Sequence, residues 1–569
     1  MSLLKKLGMA LATFGLASAL NLESKLYAKD IHMSRDYTTI QAAIDANDTT
    51  DGDRILVASG EYIINEPITY RGKNIILKSL EGYGSTKIKM ETPVNRDRGS
   101  IFAFENGEGN EAILDGFTLT GGTGIFPLQI YNRSGGGVYC EKSSPTIQNN
   151  IIIGNSATYG GGIACLNANP VIRRNIISKN NALYDGGGIY CSNSQSIIED
   201  NIIQDNYADE GGGGIICGGD SSIIVMGNCI IDNYGYEAAG GVCYVRVQGA
   251  PFFAIIENNI IARNRTNEFG GGILFSGNGV ISGNTIVQNS AYGGGGIWAL
   301  PTSLVFFDNL VYANTPTDLL GIEPSQVFYS DISQEGFAGI NGNICADPCF
   351  VNPNSYPNTL DNLIENGNFD GAMKYLKECY SLQPDSNCID AGDPIYLLDP
   401  DGTRADIGAV YFDQDRNKFI RGDADRNGEV NALDAVPIIY HLFRNKQLEC
   451  KDAADVDDNG NIDINDVVYL IDYLYRDGPQ PPAPFPEAGY DLTPDNLACY
   501  VCKKCEDEDI NDDWKVNFSD YAIFSNSWLE EGSRLGDIYE DNKIDYRDLK
   551  NLADNWLWDG SYLFRGDED

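Results

Sequence analysis

The stretch RRNIISKNNALYDGGGIYC, Arg173 to Cys191, contains the pattern that decides the fold. Two asparagines, Asn175 and Asn180, bracket an isoleucine pair, and a triple glycine then leads into a short apolar run ending in cysteine. The pattern recurs with its first asparagine at Asn150, Asn175, Asn201, Asn228, Asn259, Asn284 and Asn309, in steps of 25, 26, 27, 31, 25 and 25. The second asparagine falls at Asn155, Asn180, Asn206, Asn233, Asn264, Asn289 and Asn314. A period of this length suits a solenoid, either a leucine-rich repeat or a parallel β-helix. The repeats here are rich in Ile and Gly, with β-branched runs and no helical periodicity. The fold class expected is therefore mainly β: a right-handed parallel β-helix, followed by small α-helical calcium-loop modules described below.

Stacking coils at the interstrand spacing of about 4.8 Å turns equivalent residues into ladders. Asparagine on asparagine becomes an amide stack at a turn. In GGGIYC the side chains alternate, so Ile189 and Cys191 point inward and Tyr190 outward, and Cys140, Cys165, Cys191 and Cys217 form an interior ladder of thiols. The solenoid ends need covering. Tyr37 to Ala46 is expected to form a short amphipathic helix, followed by a strand from Arg54 to Ile64, as an N-terminal cap.

The 569-residue chain carries 40 Lys+Arg against 81 Asp+Glu, a formal charge of −41. Such a balance offers no grip on nucleic acid phosphates and favours cations. The chain has only two histidines, His32 and His441, which argues against His-ligated metal centres and Ser-His-Asp chemistry. At the N-terminus, Lys5 and Lys6, the apolar Leu7–Leu16 and Ala17-Ser18-Ala19 have the form of a signal peptide within residues 1–28, cut after 19 or 28. No later stretch reaches the roughly 20 apolar residues of a membrane span. An extracellular or cell-surface protein is expected.

From Arg421 the sequence changes character. GDADRNGEVNALD sets Asp423, Asp425, Asn427, Asn431 and Asp434 at loop positions 1, 3, 5, 9 and 12, with Gly428 at the turn and the Glu429 carbonyl at 7. ADVDDNGNIDIND repeats the pattern with Asp455, Asp457, Asn459, Asp463 and Asp466, with Gly460 at the turn and the Asn461 carbonyl. Calcium requires six to eight hard oxygens around one point, and each loop supplies such a set. An amphipathic helix follows each loop, expected over Ala435–Phe443 and Val467–Tyr475.

The duplicated loop-plus-helix, ending in Asp at position 12, resembles a type I dockerin over residues 421–477. The resemblance implies two Ca2+ ions and a cohesin-type partner, with recognition beside position 12, at Ala432-Leu433 and Ile464-Asn465. The two halves differ there. A Pro-rich linker is expected over 478–498. Residues 499–560 then hold CYVCKKC, with Cys499, Cys502 and Cys505, and a degenerate dockerin-like module whose loops begin at Asp509 and Asp537. Together with Cys450 these cysteines suit either two disulfides or a zinc site, disulfides being favoured in an exported chain.

The coils and the tail phrases CIDAGDPIYLLDPDGTRADIGAVYF and VFYSDISQEGFAGINGNICADPCFVNP resemble the pectin-lyase-like β-helix superfamily over residues 30–412. That superfamily includes polysaccharide lyases and hydrolases. No histidine in the coils supports the polygalacturonase pattern, and Arg173, Arg174, Lys179, Arg263 and Arg265 cluster around asparagine turns instead of forming a lyase base site. No catalytic residue is assigned. For contact with polysaccharide, the residues singled out are Glu210, Glu237, Glu268 and Trp298, flanked by Asp185 and Asp209, with Tyr139 and Tyr190 expected to face outward and Val245–Ala254 expected to bulge beside them. Three functions remain open: a polysaccharide lyase or glycoside hydrolase, a non-catalytic glycan binder or adhesin, and a structural surface solenoid.

Overall fold

The computed structural model describes residues 29–497 apart from 34–36, 128–131, 246–252, 354–359, 361, 365–366, 385, 415–417, 445, 447, 449, 477 and 490–496. The signal-like segment, most of the Val245–Ala254 bulge, Cys499, Cys502, Cys505 and the degenerate loops lie outside the described residues. The chain divides into two compact units. One comprises Met1–Ala346, Pro357–Leu376 and Ile407–Ala409, the other Asp347–Tyr356, Lys377–Asp406 and Val410–Asp569.

The first unit is a parallel β-helix. Each regular coil contributes one strand to each of three long ladders, because apolar β-branched triplets alternate with corner residues that tolerate left-handed backbone. Five coils add a fourth, shorter ladder made of Ser156–Tyr159, Asn181–Asp185, Tyr207–Ala208, Tyr234–Gly235 and Arg265–Thr266. Along the first ladder Val138, Ile163, Ile189, Ile215, Val242, Ile273 and Ile297 stand in register. The second stacks Ile147, Ile172, Ile198, Val225, Ile256, Ile281 and Phe306, and the third Ile152, Ile177, Ile203, Ile230, Ile261, Ile286 and Val311. Nearly all of these side chains are wholly buried in one continuous core.

The cysteine ladder is as expected: Cys140, Cys165, Cys191 and Cys217 pair in register, buried and as thiols. It is continued by Phe104 on one side and by Tyr244 and Phe275 on the other.

Both asparagine ladders form. The Nδ2 of Asn175 donates to Oδ1 of Asn201 at 3.0 Å and to the Ile147 carbonyl at 2.8 Å, and its backbone N–H also donates to Asn201 Oδ1. Buried amide and backbone groups are thereby satisfied at every corner. The first ladder ends on Ser330 and the second on Asp318, which accepts from Asn314 and which burial raises above the ordinary carboxylate range. The residue just before a ladder asparagine is left-handed: φ is 52° at Arg174, 54° at Lys179 and 55° at Arg263. Three of the basic residues thus serve as corner residues, and Arg263 pairs with Asp232 at 2.8 Å.

The triple glycine has two separate causes. Gly186 adopts φ 70°, and a Cβ on Gly187 would lie 2.4 Å from the Tyr207 carbonyl of the next coil.

The N-terminal cap helix runs Ile40–Asp45, N-capped by Thr39, whose hydroxyl accepts from Ala42. The expected strand Arg54–Ile64 is in fact two, Arg54–Val57 and Gly60–Ile64, which join different ladders, so the chain turns a corner between them. A helix unforeseen from the sequence, Phe369–Cys379, places Met373 Sδ 3.5 Å from Cys229 Sγ and Asp370 2.7 Å from Arg174.

In the second unit the calcium-loop module has helices at Ala435–Arg444 and Ile464–Tyr475, the latter starting three residues earlier than expected. A short helix, Lys451–Ala454, precedes the second loop. Ala424, Ala435, Ile438, Leu448, Ala454, Val456 and Leu470 form its core. The segment expected as a linker packs back on this module over part of its length. Phe419 pairs with Gly489, Tyr469 donates to the Gln480 carbonyl, and Phe485 meets Tyr473 edge-on. Cys450 is disulfide-bonded, and its partner lies outside the described residues. No helix among the described residues is long and apolar enough to cross a membrane.

Candidate glycan groove and calcium loops

Just before each glycine run, the turn segments of neighbouring coils stack. Gly211 bridges to Ala238, Ala238 to Phe269, and Phe269 to Gly293, while Tyr159 pairs with Asp185. The residues preceding the bridges therefore form one column, Tyr184, Glu210, Glu237, Glu268 and Tyr292, tied by Glu210 N–H to Tyr184 O, Glu237 N–H to Glu210 O and Tyr292 N–H to Glu268 O. All five side chains are exposed. The three glutamates expected at the site are thus brought together on successive coils.

Beside the column lies the outer side of the cysteine-bearing strands, and it is more covered than alternation alone implies. Tyr139, expected to face solvent, is wholly buried against Ala103, Ile125, Ala164 and Leu166, with its hydroxyl donating to Glu141 at 2.8 Å. The turn segment before the glycines folds over these strands, so outward is not synonymous with exposed. Tyr190 is half-buried under Tyr159, ring centroids 4.9 Å apart. Trp298 is half-buried under Phe269 at 4.7 Å, which in turn meets Tyr292 edge-on at 5.9 Å. Trp298 therefore reaches the column through Phe269, the residue after Glu268.

Read from its position alone, Asp185 only flanks the glutamates, whereas the structure makes it a distinctive carboxylate of this surface. It occupies the position that Gly211 takes in the next coil and accepts that glycine's N–H at 3.0 Å. Burial, with Glu210 and Glu237 nearby, pushes it up to about 6. A carboxyl whose burial displaces it upward beside other carboxylates is an arrangement acid–base chemistry uses. The clue in the sequence was Asp at a turn position that other coils fill with Tyr, Gly, Ala or Phe.

In the second unit, Asp423, Asp425 and Asp434 bring one carboxylate oxygen each within 4.8 Å of one another, and so do Asp455, Asp457 and Asp466. The loops fold alike. Position-1 Asp423 accepts from Asn427 and Gly428 N–H, and Asp455 from Asn459 and Gly460. Asn431 and Asp463 cap the following helices, while Asp434 and Asp466 accept from Asn431 N–H and Asp463 N–H. Oδ1 of Asp457 is buried with no hydrogen-bond partner, and burial pushes Asp434 and Asp466 up to about 6. Converging carboxylates and an unpaired buried oxygen fit a hard cation. Spacing alone assigns Asn427, Asn459 and the carbonyls of Glu429 and Asn461 to the same donor sets.

The helices carry apolar residues away from this core. Leu433, Val436, Tyr440 and Phe443, spaced along one face, are exposed, Leu433 at 63% and Phe443 at 70%. Thirty-two residues on, the equivalent positions are Asn465, Val468, Asp472 and Tyr475. The first stripe is the more apolar.

Comparison with known proteins agrees with both parts. The family described as right handed beta helix region matches residues 95–249 and 136–315, and the dockerin type I domain matches 421–475. No curated protein matches the chain. Among solved structures, pectate lyase Pel9A is 14% identical, with the match covering 68% of this chain and 96% of that one at a TM-score of 0.43. The Dettilon tailspike protein (gp208) is 13% identical, with coverages of 52% and 67% and a TM-score of 0.26. The chain carries a right-handed β-helix region followed by a type I dockerin domain, a module type that binds calcium and cohesins.

Proposed function

We propose that this is an exported, polysaccharide-directed protein whose β-helix holds a glycan along the Tyr184–Tyr292 column and whose dockerin, loaded with two calcium ions, attaches it to a cohesin-bearing partner. The observation that carries the glycan reading is the column itself: three glutamates on successive coils, ended by exposed tyrosines and backed by Phe269 and Trp298. Carboxylates accept from sugar hydroxyls, and aromatic faces pack on the apolar faces of sugar rings. Four coil steps span about 19 Å, long enough for an extended chain of sugars.

Docking is assigned chiefly to the first helix stripe, Leu433, Val436, Tyr440 and Phe443, because an exposed apolar face on a small module is costly unless a partner covers it. Introducing charge at both positions, Leu433→Asp with Phe443→Asp, is expected to abolish capture by a cohesin, with Val468→Asp weaker in effect.

A second reading, degradation in place of holding, is favoured by Asp185. With its carboxyl pushed up to about 6, it holds a proton in mildly acidic solution that it is suited to donate to a glycosidic oxygen, with the Glu210 and Glu237 carboxylates beside it. The test is a polysaccharide panel assayed in calcium for both retention and new reducing ends. Products that vanish in Asp185→Asn support hydrolysis. Retention without products supports binding, and neither retention nor products on any glycan removes the glycan reading.

A further inference from the structure

The charge of the column narrows the ligand class. We infer that this column selects an uncharged, hydroxyl-rich glycan and rejects polyuronates; this rests on the glycan reading above. Across the five stacked turns, residues 181–186, 207–212, 234–241, 265–272 and 290–296, stand five carboxylates, Asp185, Asp209, Glu210, Glu237 and Glu268, and one cation, Arg265. Arg265 lies in register with Tyr234, on a strand column separate from that of the glutamates. Three other described arginines of the central coils are engaged elsewhere: Arg173 on Gln148, Arg174 on Asp370 and Phe369, and Arg263 on Asp232.

A polyuronate places one carboxylate on every ring. Laid along the column, it sets like charges against like on successive coils, a mismatch that costs affinity and slows encounter. Two devices let a protein overcome this, a row of Lys or Arg, or divalent cations held between protein and uronate carboxylates. The turns provide no such basic row. For the second, three protein carboxylates meeting at a point occur, among the described residues, only in the two dockerin loops. The column glutamates instead splay into solvent, one per coil. Neutral sugars meet no such penalty, since their hydroxyls donate to the carboxylates, and Tyr184, Tyr236 and Tyr292, exposed at 36%, 49% and 75%, offer ring surface beside them.

The experiment uses the full chain in calcium at low and at physiological salt. Neutral glycans such as xylan, mannan and mixed-linkage glucan are compared with polygalacturonate and alginate by affinity electrophoresis and titration calorimetry. The expected result is retention by a neutral glycan with at least about tenfold weaker retention by either polyuronate, a difference of ~1.4 kcal/mol. Replacing Glu210, Glu237 and Glu268 jointly by Gln should narrow that gap, and added salt should narrow it in the parent protein. Polyuronate bound as well as or better than every neutral glycan, with or without a calcium requirement, overturns the inference and leaves the glycan reading standing. Binding of none of the glycans removes both.

Discussion

Gly211 donates its backbone N–H to Oδ1 of Asp185 across one coil step, at 3.0 Å. The bond favours the carboxylate but does not offset burial and the proximity of Glu210 and Glu237, so the group stands at about 6 against an ordinary 3.8. The folded protein therefore holds this proton more tightly than the unfolded chain. Between about pH 6 and 4 the native state binds the extra proton, so stability from this site rises as pH falls through 6 and levels off below 3.8. Asparagine keeps the acceptor for Gly211 and removes the charge. Asp185→Asn is expected to stabilise the β-helix at pH 8 by about 1–3 kcal/mol, with the gain disappearing near pH 4. Denaturant melts of parent and variant across that range give the difference directly, and a gain that does not depend on pH would contradict the assignment.

The second glycine of each run is fixed by the backbone of the coil above. A Cβ at Gly187 meets Tyr207 O at 2.4 Å and Gly213 O at 2.6 Å. Neither atom can yield without breaking the ladder, so Gly187→Ala is expected to cost about 3 kcal/mol or more and to lower soluble yield. Gly218→Ala, where the nearest atom stands 4.0 Å away, is the control and should be nearly silent.

Periodicity made the coils legible, because a solenoid repeats the same local solution and each ladder asparagine declares a corner. The calcium loops were legible for a related reason: metal geometry fixes ligand spacing within a dozen residues. What escaped depended on contacts distant in sequence. The burial of Tyr139 follows from a neighbouring turn folding over an outward strand face, which strand alternation does not encode. The Phe369–Cys379 helix is set by what it packs on, Met373 against Cys229 from 144 positions earlier. The packing of Phe485 on Tyr473 was hidden because a proline-rich composition signals an extended chain without saying whether anything holds it. Asp185 resembles any surface turn acid until the Gly211 coil closes over it.

The interior thiols give a direct chemical check. The neighbouring Cys165 thiol and burial raise Cys191 well above the ordinary thiol range, and burial does the same for Cys217. Reaction needs an exposed thiolate. In peptide-resolved mass spectrometry, Cys140, Cys165, Cys191 and Cys217 should resist alkylation in the native protein and label fully in guanidinium without reductant. Labelling that waits for reductant would mean bridges between coils.

The dockerin's calcium chemistry is tied to its Pro-rich tail through one buried cation. Arg421, fully enclosed, donates to the carbonyls of Asp455 and Asp452 at 2.8 and 3.2 Å, pairs with Asp458 at 2.9 Å, and reaches the Ala483 carbonyl at 3.1 Å. It thereby fixes the backbone at position 1 of the second loop. Arg421→Met leaves Asp458 and three carbonyls without their donor, and the loss expected is roughly 3 kcal/mol in the module's own unfolding step. Calcium titration of the full chain should show two sites in the parent. In Arg421→Met the site at Asp455, Asp457 and Asp466 should weaken more than that at Asp423, Asp425 and Asp434, and Asp455→Ala should remove it. EDTA should lower the module's melting while leaving the β-helix transition in place, since the coils draw their stability from apolar ladders and amide stacks. Equal weakening of both sites in Arg421→Met would show that the arginine supports the module as a whole instead of the second loop.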